Sequence, residues 1–207
     1  MARPSRWNEI VDAAATLFRE KGFVATSLED IAREVGMYKG SLYHYIKSKE
    51  DLLFAVVREP ADQILADVRE LAGQDLPPSE KIRRITRSHV RVLEENFTYC
   101  SVYLDEVAGR HRSDEWSAMD REYVQAVMGV IQEGQQRGEF GRQVDPRTTT
   151  LALIGSLNWL THWYHPEGEL KGAEIADRFC DIFLVGLLSR ASSEGSGGAK
   201  AQAARAG

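Results

Sequence analysis

The chain has 207 residues, a net charge of −5 at neutral pH and 43% hydrophobic residues, enough for one substantial core or for a small domain joined to a larger one. Its two cysteines, Cys100 and Cys180, argue against a disulfide framework, and no apolar run reaches the roughly 20 residues that a membrane-spanning helix needs. Because the first residues also lack the apolar core of a signal peptide, we expect a soluble cytoplasmic protein.

Helical periodicity runs through almost the whole chain, and no alternating strand pattern occurs. Apolar residues recur at helical spacing from about Arg6 to Lys21, and Gly22 predicts the end of this first helix. Ser27, with Asp30 three residues later, forms a variant of the capping box and predicts the start of a second helix. Gly36 then suits a sharp turn after that helix.

A third, short helix is predicted from Tyr38 to Tyr45, with Leu42 and Tyr45 directed into the core. The side chains left on its outer face are Tyr38, Lys39, Ser41, Tyr43 and His44. Between Met37 and Lys49 the chain has three lysines and no acidic residue. Two short helices joined by a glycine turn and followed by a basic segment are typical of a helix-turn-helix that enters the major groove of DNA.

Residues 36–53, G-M-Y-K-G-S-L-Y-H-Y-I-K-S-K-E-D-L-L, closely resemble the amino-terminal signature of the tetracycline-repressor (TetR) family of transcriptional regulators. This resemblance implies an all-helical homodimer of about nine helices per chain, with a three-helix DNA-binding domain and a larger helical domain for ligand binding and dimerisation. It further implies binding to a palindromic operator in double-stranded DNA and release when a small-molecule effector enters the larger domain. No cofactor and no membrane partner are expected.

Eight residues are predicted to contact DNA. The amino-terminal end of a recognition helix faces base edges, and the candidates there are Tyr38, Lys39 and Ser41. Gly40 would let the backbone approach the groove closely. Candidate phosphate contacts are Tyr43, His44, Lys49 and the start of the second helix at Ser27. A solvated surface remains the alternative for the lysines, and packing in the core the alternative for the tyrosines.

The predicted domains are residues 1–59 for DNA binding, 60–190 for ligand binding and dimerisation, and 191–207 as a low-complexity, disordered tail. The first boundary is placed where Pro60 should interrupt or kink the helix that Ser48 and Asp51 cap. The later helices are predicted from Ser79 to about Glu95, Phe97 to about Gly109, Ser113 to Gly138, Asp145 to about Tyr164, and Gly172 to about Arg190.

The segment from Ser156 to Leu170 contains two tryptophans, one tyrosine and two histidines within fifteen residues. It resembles the corresponding region of TetR-family regulators that respond to acyl-CoA thioesters, which implies a ligand cavity running towards the dimer interface. The aromatic residues predicted to line an acyl tunnel are Phe97, Tyr103, Trp116, Tyr123, Trp159 and Trp163. Arginines available to the CoA phosphates are Arg83, Arg84, Arg87, Arg91, Arg110, Arg112 and Arg121. Ordinary core packing is the alternative for each aromatic residue.

The last two helices are predicted to form the subunit interface as a four-helix bundle. Gly155 and Ser156 permit close helix contact on one of them, and apolar residues recur at helical spacing from Ile175 to Leu187 on the other.

Two further classes of function compete with the acyl-CoA hypothesis. One is a regulator of the same fold that is induced by lipophilic drugs, whose pocket would not need arginines for phosphates. The other is a metal-dependent helical enzyme, for which His162, His165 and Glu167 form a close set of possible metal ligands. Because the sequence has no Cys-x-x-Cys pair, no Gly-rich phosphate loop and no Gly-x-Ser-x-Gly motif, we expect neither catalytic residues nor a metal site.

Overall fold

The computed structural model describes residues 5–107 and 114–188, so the predicted disordered tail, 191–207, lies outside the described residues. The described residues contain helices and no strand. In chain order the helices are α1 (Arg6–Lys21), α2 (Leu28–Glu34), α3 (Lys39–Leu42), α4 (Lys49–Gly73), α5 (Pro78–Glu95), α6 (Phe97–Val102), α7 (Asp114–Gln136), α8 (Pro146–Asn158), α9 (Leu160–Trp163) and α10 (Gly172–Leu188). A π-helical segment, Tyr103–Val107, continues α6, and α9 follows α8 after one residue. The expected all-α fold of about nine helices is confirmed.

Contacts among the described residues divide the chain into two compact units. The first unit combines Met1–Leu65 with Val92–Met119, and the second combines Ala66–Arg91 with Asp120–Gly207. The first unit therefore contains all of α1, α2 and α3, and the second contains all of α8, α9 and α10.

The beginning of the first unit follows the predicted capping signals. Gly22 ends α1 with a φ of 80°, and Gly36 makes the turn after α2 with a φ of 63°, a region that glycine occupies without the steric cost of a Cβ. At α2 the Asp30 amide donates to Ser27 Oγ over 3.1 Å, and the Ser27 amide donates to Asp30 Oδ2 over 3.0 Å. The predicted capping box is confirmed, and it fixes the direction in which α2 starts.

Helix α3 is shorter than predicted, and one of its two expected core residues is wrong. It covers Lys39–Leu42 rather than Tyr38 to Tyr45. Leu42 is fully buried, whereas Tyr45 is 43% exposed and Ile46 takes the core position. The Tyr45 and Ile46 amides both donate to the Leu42 carbonyl, so the chain turns tightly after Leu42. This turn places Ile46, rather than Tyr45, in the core.

Pro60 was expected to interrupt or kink α4, and an interruption is wrong, because α4 continues through this proline from Lys49 to Gly73. Proline removes one helical hydrogen bond, a cost of roughly 3 kcal/mol in an exposed helix. Here Leu53, Val56 and Val57 are almost fully buried in the turns before it, and Pro60 itself is buried. Burial of this face offsets the lost hydrogen bond.

Three predicted boundaries of the later helices can be compared with the structure. Asp145 caps α8 as predicted, since the Thr148 amide donates to its Oδ1 over 2.7 Å and Pro146 occupies the first turn. Helix α5 instead starts at Pro78, one residue before the predicted cap Ser79. Gly138 follows the end of α7 with a φ of 75°, as expected for a helix stop. The predicted boundaries at Gly109 and Ser113 lie outside the described residues.

Both cysteines are free and buried, Cys100 in the first unit and Cys180 in the second. Burial raises the pKa of the Cys100 thiol to about 12 and raises the pKa of Cys180 as well. Because the thiolate is the reactive form, both thiols are unreactive in the folded chain.

Candidate functional site

The predicted DNA-contact residues surround a helix of only one turn, which Leu42 holds against the core of the first unit. Tyr38, at the amino-terminal cap of α3, is 87% exposed, and its side chain makes no capping hydrogen bond. Lys39, Gly40, Tyr43 and His44 are also exposed. Ser41 is half-buried. The structure thus presents this set on one short segment whose backbone is fixed by the core.

Lys39 forms an exposed ion pair with Glu29, in the first turn of α2, with 2.5 Å between Nζ and Oε1. The hydrogen bond to Glu29 raises the pKa of Lys39 and lowers that of the glutamate. Exposed pairs of this kind contribute little to stability, so Lys39 can exchange the carboxylate for a stronger acceptor at small cost.

Two of the predicted phosphate contacts have structural partners. Lys49 Nζ donates to the carbonyls of Phe23 over 2.7 Å and Thr26 over 2.8 Å, and it lies 4.3 Å from the centre of the Phe23 ring. Ser27 uses its hydroxyl in the capping box with Asp30. These contacts hold the loop between α1 and α2, and a role for either side chain at phosphate stays a prediction.

The six predicted ligand residues fall into both units. Phe97, Tyr103 and Trp116 belong to the first unit, where Trp116 is almost fully buried and stacks on Phe54 with ring centres 6.0 Å apart. Tyr103 lies against the same tryptophan, with ring centres 5.8 Å apart. Within the first unit, this aromatic cluster packs as core, and a ligand role for it stays a prediction.

The other three ligand candidates belong to the second unit, Tyr123 in its interior and Trp159 and Trp163 exposed. Trp159 is 59% exposed and stacks on His162, with ring centres 4.0 Å apart.

Comparison with known proteins matches two family profiles to the chain, one to its amino-terminal part and one to its carboxy-terminal part. The profile described as "Bacterial regulatory proteins, tetR family" matches residues 10–56, and the profile described as "Tetracyclin repressor-like, C-terminal domain" matches residues 75–187. The second match alone covers more than half of the 207 residues. The chain belongs to the TetR family. It is therefore a transcriptional regulator of the helix-turn-helix class, and the resemblance seen in residues 36–53 is confirmed.

Several characterised members of the family are similar to this TetR-family chain over most of its length. The transcriptional repressor KstR2 of Rhodococcus jostii (strain RHA1) is 28% identical over 190 residues, covering 90% of this chain and 93% of that protein. The structure of the regulator PfmR from Thermus thermophilus is 30% identical with a TM-score of 0.76, covering 84% and 96%. The structure of AibR with isovaleryl coenzyme A and operator DNA is 25% identical with a TM-score of 0.72, covering 89% and 98%.

A buried polar pair in the second unit of this TetR-family chain was missed by the sequence analysis. His89 on α5 is buried, and its Nδ1 lies 2.8 Å from the hydroxyl of Tyr123, one of the predicted ligand residues. Burial lowers the pKa of His89 to about 4, against the effect of a hydrogen bond with Asn158. The available signal was a lone histidine on the apolar stripe of α5, at helical spacing from Ile85 and Leu93.

His89 is expected to make the free energy of unfolding depend on pH. Between pH 6.5 and pH 4 the unfolded chain takes up a proton at His89 that the folded chain excludes, so stability falls as the pH falls through this range. The expected loss is about 3 kcal/mol. Urea unfolding of the wild type and of His89→Gln at pH 7.5 and 4.5 measures it, with the steeper loss in the wild type. Parallel losses in both proteins would show that His89 is not the group responsible.

Glu106, in the π-helical segment, is a second missed residue. It is buried, its Oε1 accepts the Phe23 amide over 3.0 Å, and its Oε2 has no hydrogen-bond partner. The carboxylate joins this segment to the loop after α1 within the first unit. No sequence pattern indicates this role, because an acidic residue in a helical stretch is ordinarily on the surface.

Among residues 5–107 and 114–188, no group of three or more His, Cys, Asp or Glu side chains is placed to hold a metal ion. In the same ranges no helix is both long and apolar enough to cross a membrane. Arg110 and Arg112 lie outside the described residues, whereas Arg83, Arg84, Arg87 and Arg91 occupy α5.

Proposed function

We propose that this protein is a homodimeric transcriptional repressor that binds a palindromic operator and is released from it by an acyl-CoA thioester. The observation that carries the DNA-binding part is the exposed set on α3, held by buried Leu42 next to a confirmed capping box. In this proposal residues 1–59 form the DNA-binding domain and residues 60–190 the ligand-binding and dimerisation domain. The likeness to the repressor KstR2 supports repression rather than activation.

Tyr38, Lys39 and Ser41 face base edges in the proposed complex, because they lie at the amino-terminal end of the recognition helix. Tyr43 and His44, at its other end, are placed for the phosphate backbone. The pairing of Lys39 with Glu29 also keeps an acidic group beside the recognition helix. A backbone phosphate near this carboxylate would be repelled, which favours a base rather than a phosphate as the partner of Lys39.

Lys39→Ala is expected to weaken discrimination at one base position of each half-site by about 1–3 kcal/mol. His44→Ala, at an exposed residue predicted to contact phosphate, is the control and should weaken binding to all sequences alike. Fluorescence-anisotropy titrations against an operator and its single-base variants, at one fixed salt concentration, separate the two effects. Equal losses on every sequence for Lys39→Ala would assign this lysine to phosphate instead.

The second unit carries the surface proposed for dimerisation. Four large apolar side chains are exposed there, with Ile182 exposed to 69%. They are Ile182 and Val185 on α10, Leu151 on α8, and Trp159 directly after α8. The spacing of Leu151, Gly155 and Trp159, the C-terminal cap of α8, places these positions on one side of the helix. Nothing lies within 4 Å of the position that a Cβ would take at Gly155. Apolar stripes with small residues suit close packing of two helices from each chain across a two-fold axis.

Ile182→Glu is expected to convert the dimer into a monomer and to abolish specific operator binding, because a buried unpaired carboxylate would face its own copy across the axis. Sedimentation velocity measures the mass, and anisotropy measures DNA binding in the same samples. The control is Thr16→Glu, an exposed position on α1 in the first unit. An unchanged dimer in Ile182→Glu would place the interface elsewhere.

The binding of an acyl-CoA is supported by AibR, whose structure holds isovaleryl coenzyme A together with operator DNA. Release of the operator by the thioester is the part that the titration tests. A ligand lowers operator affinity only by the difference between its binding free energies to the DNA-bound and the released conformations. An effector must therefore bind the released dimer more tightly, for example one whose half-site spacing no longer matches successive major grooves.

Titration of the protein–operator complex tests the function as a whole. The operator is first selected by the purified protein from random duplex DNA, and the complex is then titrated with isovaleryl-CoA, isovalerate and a lipophilic cationic dye. Release by the thioester but not by the free acid is the expected result. Release by the dye alone would replace the effector proposal with the drug-responsive alternative, and failure to select any DNA would overturn the proposed function.

A further inference from the structure

The second unit has an open groove of about 360 Å³ along α5. Its walls include Asp67, Glu70 and Leu71 from α4, and Arg84, Arg87 and Arg91 from α5. The three arginines lie at positions i, i+3 and i+7, so they form one row, with steps of about 4.5 and 6 Å along the helix axis.

We propose that this groove binds the phosphate groups of the nucleotide half of a CoA thioester. The inference rests on the proposed effector and names the part of that ligand which the groove takes. That half carries a diphosphate and a 3′-phosphate, several anionic groups within one short molecule. A row of guanidinium groups matches it, because each planar guanidinium can donate two parallel hydrogen bonds to one phosphate.

Each arginine of the row is paired with a carboxylate. Arg84 pairs with Glu80 over 2.7 Å on its own helix. Arg87 donates to both oxygens of Asp177. About half of each of these two arginine side chains is exposed. Exposed pairs of this kind are weak, so a multiply charged phosphate ligand can replace the carboxylates at small cost.

The acidic residues of the groove set the limit on its affinity. Asp67 is bound by Arg91 over 2.9 Å and also accepts a hydrogen bond from the Ser88 hydroxyl. Glu70, exposed on the opposite wall, places a negative charge on the same groove. Glu70 therefore weakens phosphate binding, and Leu71 supplies an apolar surface for the adenine ring.

Isothermal titration calorimetry of the full chain with three probes tests the assignment. The probes are isovaleryl-CoA, isovaleryl-pantetheine, which lacks the nucleotide, and adenosine 3′,5′-bisphosphate, which lacks the acyl chain. Arg87→Ala is expected to weaken binding of isovaleryl-CoA and of the bisphosphate about tenfold, the loss of one charge-assisted contact. Binding of isovaleryl-pantetheine should not change.

Three variants distinguish groove contacts from general effects of charge or folding. Arg137→Ala is the matched control, because Arg137 is an exposed, ion-paired arginine of the same unit that does not line the groove. It should bind all three probes as the wild type does. Glu70→Gln should tighten the two phosphate probes about threefold, a sign that no loss of stability would produce. Arg87→Lys should bind them with intermediate affinity.

The outcomes separate this inference from the proposed function. The groove assignment would be overturned if Arg87→Ala and the double variant Arg84→Ala with Arg91→Ala both bound isovaleryl-CoA with wild-type affinity. That result would leave the proposed release of the operator by the thioester untouched. Arginine-dependent binding of the bisphosphate without any release by thioesters would support the groove and overturn the effector proposal. Failure of the wild type to bind any phosphate probe would overturn the inference itself.

Discussion

Trp116→Ala is expected to lower the free energy of unfolding by about 3–5 kcal/mol. Only 2% of this tryptophan is exposed, and its ring lies against Phe54 and Tyr103 while the guanidinium of Arg58 lies 5.6 Å from its centre. Removing the indole would leave a cavity lined by two aromatic rings that are themselves held by the first unit. Rigid surroundings collapse poorly, so the cost lies in the upper part of the range for core residues.

Urea unfolding followed by circular dichroism, at one fixed protein concentration, measures this loss. Tyr45→Ala is the control within the first unit, and its partly exposed ring should cost far less. The same pair of proteins tests the ligand hypothesis for Trp116. A small stability loss together with a large loss of acyl-CoA affinity would show that the ring lines a pocket rather than the core.

Leu42→Ala is expected to cost about 2–5 kcal/mol and to abolish specific operator binding. A helix of four residues has no stability of its own, and Leu42 is its fully buried side chain. Without that contact the turn carrying Tyr38 and Lys39 is free to adopt many backbone conformations. Ordering them on the operator would then oppose binding by the conformational entropy of several residues.

Tyr38→Ala is the control for Leu42→Ala, because Tyr38 lies one turn away and its side chain is exposed. Tyr38→Ala should leave the urea midpoint unchanged and reduce operator affinity, whereas Leu42→Ala should reduce both. Specific binding by a folded Leu42→Ala protein at wild-type affinity would show that α3 is not the helix that contacts the bases.

Local signals in the sequence predicted the features that depend on a few neighbouring residues. The capping box at Ser27 and Asp30, the turns at Gly22 and Gly36 and the Asp145 cap involve backbone groups within three or four residues, so short patterns identify them. The helix-turn-helix was predictable for the same reason, since its two helices and turn are consecutive in the chain.

Features that depend on distant parts of the chain were not predictable in this way. Pro60 was expected to interrupt or kink α4, but the helix continues through it, because the residues around it are packed in the core. Glu106 meets Phe23 across 83 positions of sequence, and neither residue carries a local sign of the other. The aromatic candidates fall into both units, because spacing on a helix shows which side is apolar but not what covers it.

Chemical labelling of the two buried thiols can measure local opening of the folded protein. Each unit contains one cysteine, Cys100 in the first and Cys180 in the second. A maleimide reagent can attack either sulfur only in molecules that have transiently opened around it, so the rate of labelling measures how often that happens. Mass spectrometry of the digested chain separates the two sites, and effector or operator binding should slow modification in the unit that each one stabilises.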